Sequence, residues 1–461
     1  MGRRKPNPRR RERASQPDAT STSRQDQIQK SIAFSWRRML SLIAIPAVVV
    51  AAVVAWFISQ PIIAERFSRK GDQAIESGLY ELADSYYQQA DSTDHNDGRY
   101  KIAQARVARM QRQFGRAREI LQQVRSFAAR DSVKREALLL EIQEGNARQH
   151  HEQFGGLLNQ YPDDVDSVWH AYVEGFENEE AIDLAYKLAE SWIKERRDSP
   201  LAHLKYAQLA QDRTDLSTAQ RHYQTALRLQ PNQRDAWEGL TQVALLNYDY
   251  RDALQYSEQV LRFDPENVEA KLHRAQSLTI LQRDDEAMSE LEHVLRLQSE
   301  NFSARFDLAN LLIKHEQAAK AIAVMKPFES EFNNDVAINY MLALAHQQLG
   351  DDDAATLFLQ KHLDGGEELN RLEMLIENTP EPQRDFSFCK SVGMSYLQVK
   401  WDAAFRWLDQ AAAMQPVDAA LQNALADFAR KRGDKVLEAK YREQAELVRR
   451  MLNTERAGQV R

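Results

Sequence analysis

One stretch of the chain is far more apolar than any other. Met39–Ile58 contains twenty residues with a single hydroxyl group and no charge. At 1.5 Å per residue, a helix of this length is about 30 Å long, the thickness of the hydrocarbon core of a bilayer. Trp56 lies near one end, where amphipathic rings prefer the membrane interface. The pattern predicts an uncleaved transmembrane signal anchor within residues 37–60, with a cleaved signal peptide as the alternative.

Beyond residue 64, small and apolar positions recur at helical spacing. Starting from Ala83, every thirty-fourth residue up to Ala355 is alanine, with the one exception of His151. A second column, which starts at Gly71, is mostly Gly, Ala or Thr. Two columns in one register are typical of a solenoid built from helix–turn–helix units. The alanines of the first column are Ala83, Ala117, Ala185, Ala219, Ala253, Ala287, Ala321 and Ala355.

Individual units resemble the tetratricopeptide repeat (TPR) family. Trp237, Leu240, Ala253 and Pro265 follow the family consensus within one unit. The resemblance implies two antiparallel helices per repeat, with the small columns where one helix backbone approaches its neighbour. We therefore expect an all-α chain, a right-handed α-solenoid of stacked TPR repeats behind a single transmembrane helix.

The register also divides the chain into parts. We predict a basic disordered tail (1–36), the anchor (37–60) and nine repeats (64–369). Ala355 and the next match, Ala404, are one repeat plus fifteen residues apart, which predicts an insertion at 370–384. Its prolines predict a short helix plus loop. Two further repeats (385–450) and a tail (451–461) follow. The third repeat (132–165) matches worst, so we expect its local packing to differ.

Charge adds a prediction about orientation. Residues 1–63 carry eleven Lys and Arg against three Asp and Glu, whereas the remainder has a net charge of −15. The positive-inside rule then keeps the tail in the cytoplasm and exports the repeats, which predicts a single-pass protein of the bacterial inner (cytoplasmic) membrane. The tail is interpreted as a topology determinant and spacer, with contact to anionic lipid head groups or nucleic acid as the alternative. We expect no nucleic-acid binding by the solenoid.

The sequence contains no catalytic constellation. A single cysteine, Cys389, excludes a disulfide framework and a thiolate zinc cluster, and its apolar neighbours indicate a core position. The cluster at His150 and His151 lacks the spacing of a zinc protease motif. Acidic residues such as Asp351 fall between predicted helices, where they are expected to cap the next helix. We therefore predict a protein without enzymatic activity, metal or cofactor.

The remaining candidate is a binding surface. The TPR resemblance implies that the first helix of each repeat lines a concave groove for partner peptides. Next to the Gly71 column, four successive repeats carry a carboxamide, which both donates and accepts hydrogen bonds. These residues are Gln208, Gln242, Gln276 and Asn310. We predict an amide ladder for the backbone of an extended peptide, with ordinary solvated glutamines as the alternative.

A clamp for a C-terminal carboxylate uses Lys and Asn on the same face, and this chain has neither at those positions. They hold Leu204, Glu238, Leu272 and Phe306. The sequence thus predicts a membrane-anchored TPR scaffold that binds peptide segments of partner proteins for complex assembly or quality control in the cell envelope. The alternative is a non-catalytic, substrate-recruiting subunit of a membrane-associated enzyme or secretion complex.

Overall fold

The computed structural model describes residues 54, 56, 59–95, 97–125, 129–329 and 332–459, without the side chains of 163 and 452–459. The predicted tail and nearly all of the predicted anchor lie outside these residues. Within the described ranges, none of the helices combines the length and the apolar character needed to cross a bilayer.

The described residues form α-helices joined by short turns, and no strand occurs among them. In chain order the helices are α1 (59–76), α2 (Tyr80–Thr93), α3 (Arg99–Met110), α4 (Phe114–Gln122), α5 (Arg130–Glu141), α6 (Phe154–Gln160), α7 (Val165–Asn178), α8 (Ile182–Glu195), α9 (Pro200–Asp212), α10 (Leu216–Leu229), α11 (Arg234–Leu246), α12 (Tyr250–Phe263), α13 (Val268–Ile280), α14 (Asp284–Leu297), α15 (Phe302–Lys314), α16 (Ala318–Met325), α17 (Val336–Gln348), α18 (Asp352–Asn378), α19 (Phe386–Val399), α20 (Ala404–Met414), α21 (Ala419–Arg432) and α22 (Lys435–Gln459). The helices form consecutive pairs, in which the first helix has an odd number and the second an even number. Repeats one to nine are the pairs from α1–α2 to α17–α18.

A left-handed turn residue separates the two helices of most pairs. Thr214, for example, has a φ of 59°, and the next residue, Asp215, donates its backbone N–H to Ala210 O at 2.9 Å. This geometry ends the first helix and satisfies its last carbonyls. The equivalent turn positions of other repeats, spaced from Thr214 by multiples of 34 residues, also have positive φ. They are Gly78, Arg112, Glu180, Tyr248, Gln282, Glu316 and Gly350.

The small columns lie where helices touch. The predicted alanines are at most 1% exposed, apart from Ala355, which is partly exposed. At Gly239 an added Cβ would lie 2.2 Å from Cζ of Tyr223, so only glycine allows this close approach. Cys389 is fully buried, as predicted.

Two regions depart from the regular repeat. In repeat three, α5 runs into a π-helical turn at Ile142–Asn146, with Gly145 at a φ of 116°, and the second helix has only seven residues. The prediction of altered packing there is confirmed. Asp351 also caps α18 as predicted, because its Oδ1 accepts the backbone N–H of Ala354 at 3.2 Å.

The segment 370–384 is not the separate short helix that its sequence predicted. Residues 370–378 instead continue α18, which has 27 residues, and a 3-10 turn follows at Glu381–Gln383. Leu372 is buried against α19 and α20, and this packing keeps the helix intact until Pro380. At the other end of the C-terminal unit, residues 451–459 continue α22 rather than leaving it as a tail.

The solenoid coils back upon itself. Ser77 O accepts the backbone N–H of Arg234 at 3.2 Å, and Tyr80 Oη donates to Asp235 Oδ2 at 3.2 Å. Repeat one therefore lies against the start of repeat six. Later in the chain, Asn301 Nδ2 donates to Arg432 O at 3.3 Å, which brings the turn before α22 against repeat eight. These contacts enclose part of the concave face.

Candidate functional site

In repeats two to five the concave face is filled by the protein's own charges. Arg109, only 1% exposed, donates from Nε to Glu136 Oε1 and from Nη1 to Gln143 Oε1, both at 2.6 Å. Gln143 Nε2 in turn donates to Glu174 Oε2 at 2.6 Å. Buried polar groups linked in this way satisfy one another and leave little capacity for a ligand.

Lys205 completes this buried network. Its Nζ donates to Glu174 Oε1 at 2.9 Å and lies 2.6 Å from Glu177 Oε2. Burial alone would raise the pKa of Glu174, but the attraction of Lys205 and nearby cations holds that pKa well below its usual range. Glu174 is therefore ionised at neutral pH, whereas burial raises the pKa of Glu177 in spite of the same lysine.

From repeat six onward the concave face opens into a cavity of about 1150 Å³. The first helices of repeats six to nine (α11, α13, α15 and α17) line one side. The segment 399–402 between α19 and α20 and the turn 432–435 before α22 line the other, and Glu81 of α2 lies at one end. We call this cavity the groove. Because elements from both ends of the chain close it, its shape depends on the coiling of the whole solenoid.

One column of side chains runs along the groove at a spacing of 34 residues. It comprises Glu238, Leu272, Phe306 and Tyr340, one from each first helix. Three of these positions, Glu238, Leu272 and Phe306, are those whose side chains exclude a carboxylate clamp. Their common register with the Gly71 column was the signal that could have identified them as lining residues.

The four carboxamides of the predicted amide ladder do not all line the groove. Gln276 is exposed and lines the groove. Gln242 accepts a hydrogen bond from Gln211 Nε2 at 2.8 Å and donates to Glu269 Oε1 at 3.1 Å, so its amide is occupied within the protein. Gln208 and Asn310 lie outside the lining of the groove. Of the four carboxamides, Gln276 therefore lines the groove and forms no hydrogen bond with another of the described residues.

Acidic side chains outnumber basic ones around the groove. The acidic lining residues are Glu81, Glu238, Asp264, Glu266, Glu269, Asp307, Asp335, Asp402 and Asp434, and the basic ones are Arg234, Lys400, Arg432 and Lys435. Some of the acids have structural roles: Asp335 caps α17 and Asp434 caps α22 through backbone N–H groups. Even without these two, the lining keeps an excess of negative charge.

Two carboxylates in the groove lack full compensation. Glu238 accepts from Asn267 Nδ2 at 3.1 Å and lies 3.3 Å from Arg234 Nε, yet burial raises the pKa of Glu238 to about 7. Asp307 is accessible to water, but the surrounding protein withholds part of its solvation and raises the pKa of Asp307 to about 6. No cation among the described residues lies within salt-bridge distance of Asp307. A positively charged ligand group would stabilise both carboxylates.

The groove changes character along the solenoid. Glu238 and Glu269 come from repeats six and seven, whereas Phe306 and Tyr340 come from repeats eight and nine. Tyr340 is 49% exposed, a large apolar ring open to solvent. The groove therefore has an acidic end at repeats six and seven and an aromatic end at repeats eight and nine, and Asp307 lies next to Phe306 where the two ends meet. In the part of the chain that the structure describes, no group of three or more His, Cys, Asp or Glu side chains is placed to hold a metal ion.

Comparison with known proteins identifies the repeats. Residues 204–256 and 247–302 match the tetratricopeptide repeat family. Curated proteins provide no match. Among solved structures, YrrB, described as a TPR protein with an unusual peptide-binding site, is 20% identical over 38% of this chain and 91% of its own, with a TM-score of 0.36. MamA is 17% identical over 37% of this chain and 94% of its own, with a TM-score of 0.35.

A tetratricopeptide repeat protein from Parabacteroides merdae ATCC 43184 is 14% identical over 60% of this chain and 99% of its own, with a TM-score of 0.36. The family match spans α9 to the start of α15. Most helix pairs of repeats one to nine share its register, whereas α19 to α22 follow after a shift of fifteen residues. TPR proteins mediate protein–protein interaction and are generally non-catalytic scaffolds. Residues 204–302 thus carry tetratricopeptide repeats, and the described part of the chain is an all-helical, TPR-like solenoid.

Proposed function

We propose that this chain is a scaffold that binds peptide segments of partner proteins in the groove of repeats six to nine. The observation that carries the proposal is the cavity of about 1150 Å³ lined by four first helices. Helices packed about 10 Å apart make this surface roughly 30 Å long, which suits about nine residues of extended peptide. The exposed ring of Tyr340 and the uncommitted amide of Gln276 supply an apolar anchor and a hydrogen-bonding partner.

The proposal includes the predicted anchor at Met39–Ile58. Its length and apolar composition support a role in holding the scaffold at the bacterial inner membrane, with the repeats on the outer side. On this view the protein gathers partners for complex assembly or quality control in the cell envelope. A C-terminal tag that resists externally added protease in spheroplasts, while a known periplasmic control is degraded, would contradict this orientation.

Site-specific photo-crosslinking in cells tests the groove. A photoreactive phenylalanine analogue would replace Tyr340 in the groove or, as the matched control, Tyr248, which is 76% exposed and outside the groove lining. We expect discrete crosslinked products from position 340 alone, and mass spectrometry should map them to short segments of the partner. Equal products from both positions, or none from position 340, would contradict the proposal.

A further inference from the structure

Resting on the proposed function, we infer that the groove selects basic segments: extended peptides with a Lys or Arg side chain at the acidic end and an apolar side chain at the aromatic end. The partner is thus defined by its chemistry, a cationic stretch of another protein. Three features of the groove support this choice of ligand.

The first feature is the uncompensated charge. Asp307 faces the groove with no cation at salt-bridge distance among the described residues, and Glu238 shares its single nearby guanidinium, that of Arg234, with Asp235. Glu269 engages the amide of Gln242. The ionisable group beside it among the described residues is His273 at 4.0 Å, and burial lowers the pKa of that imidazole, so it supplies no positive charge at neutral pH. A ligand ammonium or guanidinium group would meet acceptors already held in place by rigid helices.

The second feature is the contrast with the rest of the concave face. In repeats two to five, Lys205 bridges Glu174 and Glu177 and supplies an internal positive charge to both. The equivalent of Lys205 in the next three repeats is Gly239, His273 and Asp307. The position that supplies an internal cation in repeat five thus becomes an acid in repeat eight, which leaves the positive charge to be supplied by the ligand.

The third feature is the adjacent apolar surface. Phe306 and Tyr340 lie one and two repeats beyond the acidic end, at a spacing of about 10 Å per repeat. In an extended peptide this separation corresponds to about three residues per repeat. An apolar side chain three to six residues from the basic one can therefore reach the rings while the cation meets the carboxylates.

The same features argue against other occupants. The repeats of a second copy, residues 64–461, have a net charge of −15 and would be repelled by an acidic groove, and nucleic acid would be repelled for the same reason. A partner's C-terminal carboxylate would meet Glu238 instead of the Lys or Asn that such a clamp requires.

Selection from random nine-residue peptides displayed on phage tests the inference with the full-length protein. A groove variant, Glu238→Gln with Asp307→Asn, removes two charges and keeps the side-chain shapes. A control variant, Asp252→Asn with Glu292→Gln, removes two charges from exposed positions on the second helices α12 and α14. Since both variants change the net charge equally, any difference between them reports the groove and not the general attraction of an acidic protein.

We expect Lys and Arg to be enriched about threefold or more among peptides bound by the natural protein and the control variant, and not by the groove variant. In fluorescence anisotropy, acetylating the selected Lys should weaken binding about tenfold. Peptides enriched without basic residues, or equal enrichment by both variants, would overturn the inference and leave peptide binding intact. If no peptide were enriched, the proposed function would fail as well. Binding seen only after deletion of residues 1–36 would reassign the groove to the chain's own basic tail.

Discussion

Replacing Glu238 with Gln should stabilise the ligand-free protein above neutral pH and have a smaller effect on its stability near pH 5. Burial raises the pKa of Glu238 from 4.5 to about 7, in spite of Arg234 and Asn267 beside it. Folding therefore favours the protonated carboxyl. Its stabilising contribution is complete below about pH 4.5 and is lost as the pH rises through about 7. Glutamine resembles the protonated form and cannot ionise.

The magnitude follows from the two pKa values. A difference of about 2.5 corresponds to an upper limit of about 3.4 kcal/mol, at about 1.36 kcal/mol per unit. The side chain is 31% exposed, so screening by water reduces this to roughly 1–2 kcal/mol. Near pH 5 the folded natural protein carries a neutral carboxyl, but its unfolded chain is mostly ionised at this position, so we expect the two proteins to differ by about 0.8 kcal/mol at most.

Urea unfolding followed by circular dichroism at about pH 5 and pH 8.5 provides the measurement. Glu292→Gln on α14 is the control, because Glu292 is exposed and lies outside the groove lining. The control should match the natural protein at both pH values. If Glu238→Gln lowered stability at pH 8.5, or shifted it equally at both pH values, ionisation of Glu238 would not destabilise the folded protein as described above.

Two other substitutions test the fold around the groove. Lys205→Met removes the cation between Glu174 and Glu177. It should lower the free energy of unfolding by about 3–5 kcal/mol, because two buried acids lose their partner. A change below about 1 kcal/mol would show that the network is not a structural requirement. Thr214→Gly should raise the free energy of unfolding by about 0.5–1 kcal/mol, since a β-branched residue is strained at a φ of 59°. Thermal unfolding would measure both, and a lower melting temperature for Thr214→Gly would contradict the second prediction.

The repeat architecture could be predicted from the sequence because it depends on local size. Alanines such as Ala219 and Ala253 recur every 34 residues, and only small side chains let neighbouring helices approach there. The left-handed turn column was harder to detect. Gly78 and Gly350 mark two of these turn positions, because glycine favours positive φ. The others hold residue types, such as Tyr248 and Gln282, that do not predict positive φ.

The position of the groove could not be predicted in the same way. It depends on the coiling that brings Ser77 against Arg234 and Asn301 against Arg432, contacts between residues more than a hundred positions apart. No local pattern specifies such a pitch, because small rotations at every repeat add up to it. The prediction of a separate short helix at 370–384 was wrong for a related reason. The packing of Leu372 on α19 and α20 extends α18 as far as residue 378.

The most direct test of the account is hydrogen–deuterium exchange of the full-length protein with and without a peptide from the phage selection. We predict slower amide exchange in the first helices α11, α13, α15 and α17 and in the facing turn 432–435, with the second helices α12 and α14 unchanged. Protection confined to the second helices, or to repeats two to five, would show that partner peptides bind somewhere other than the groove.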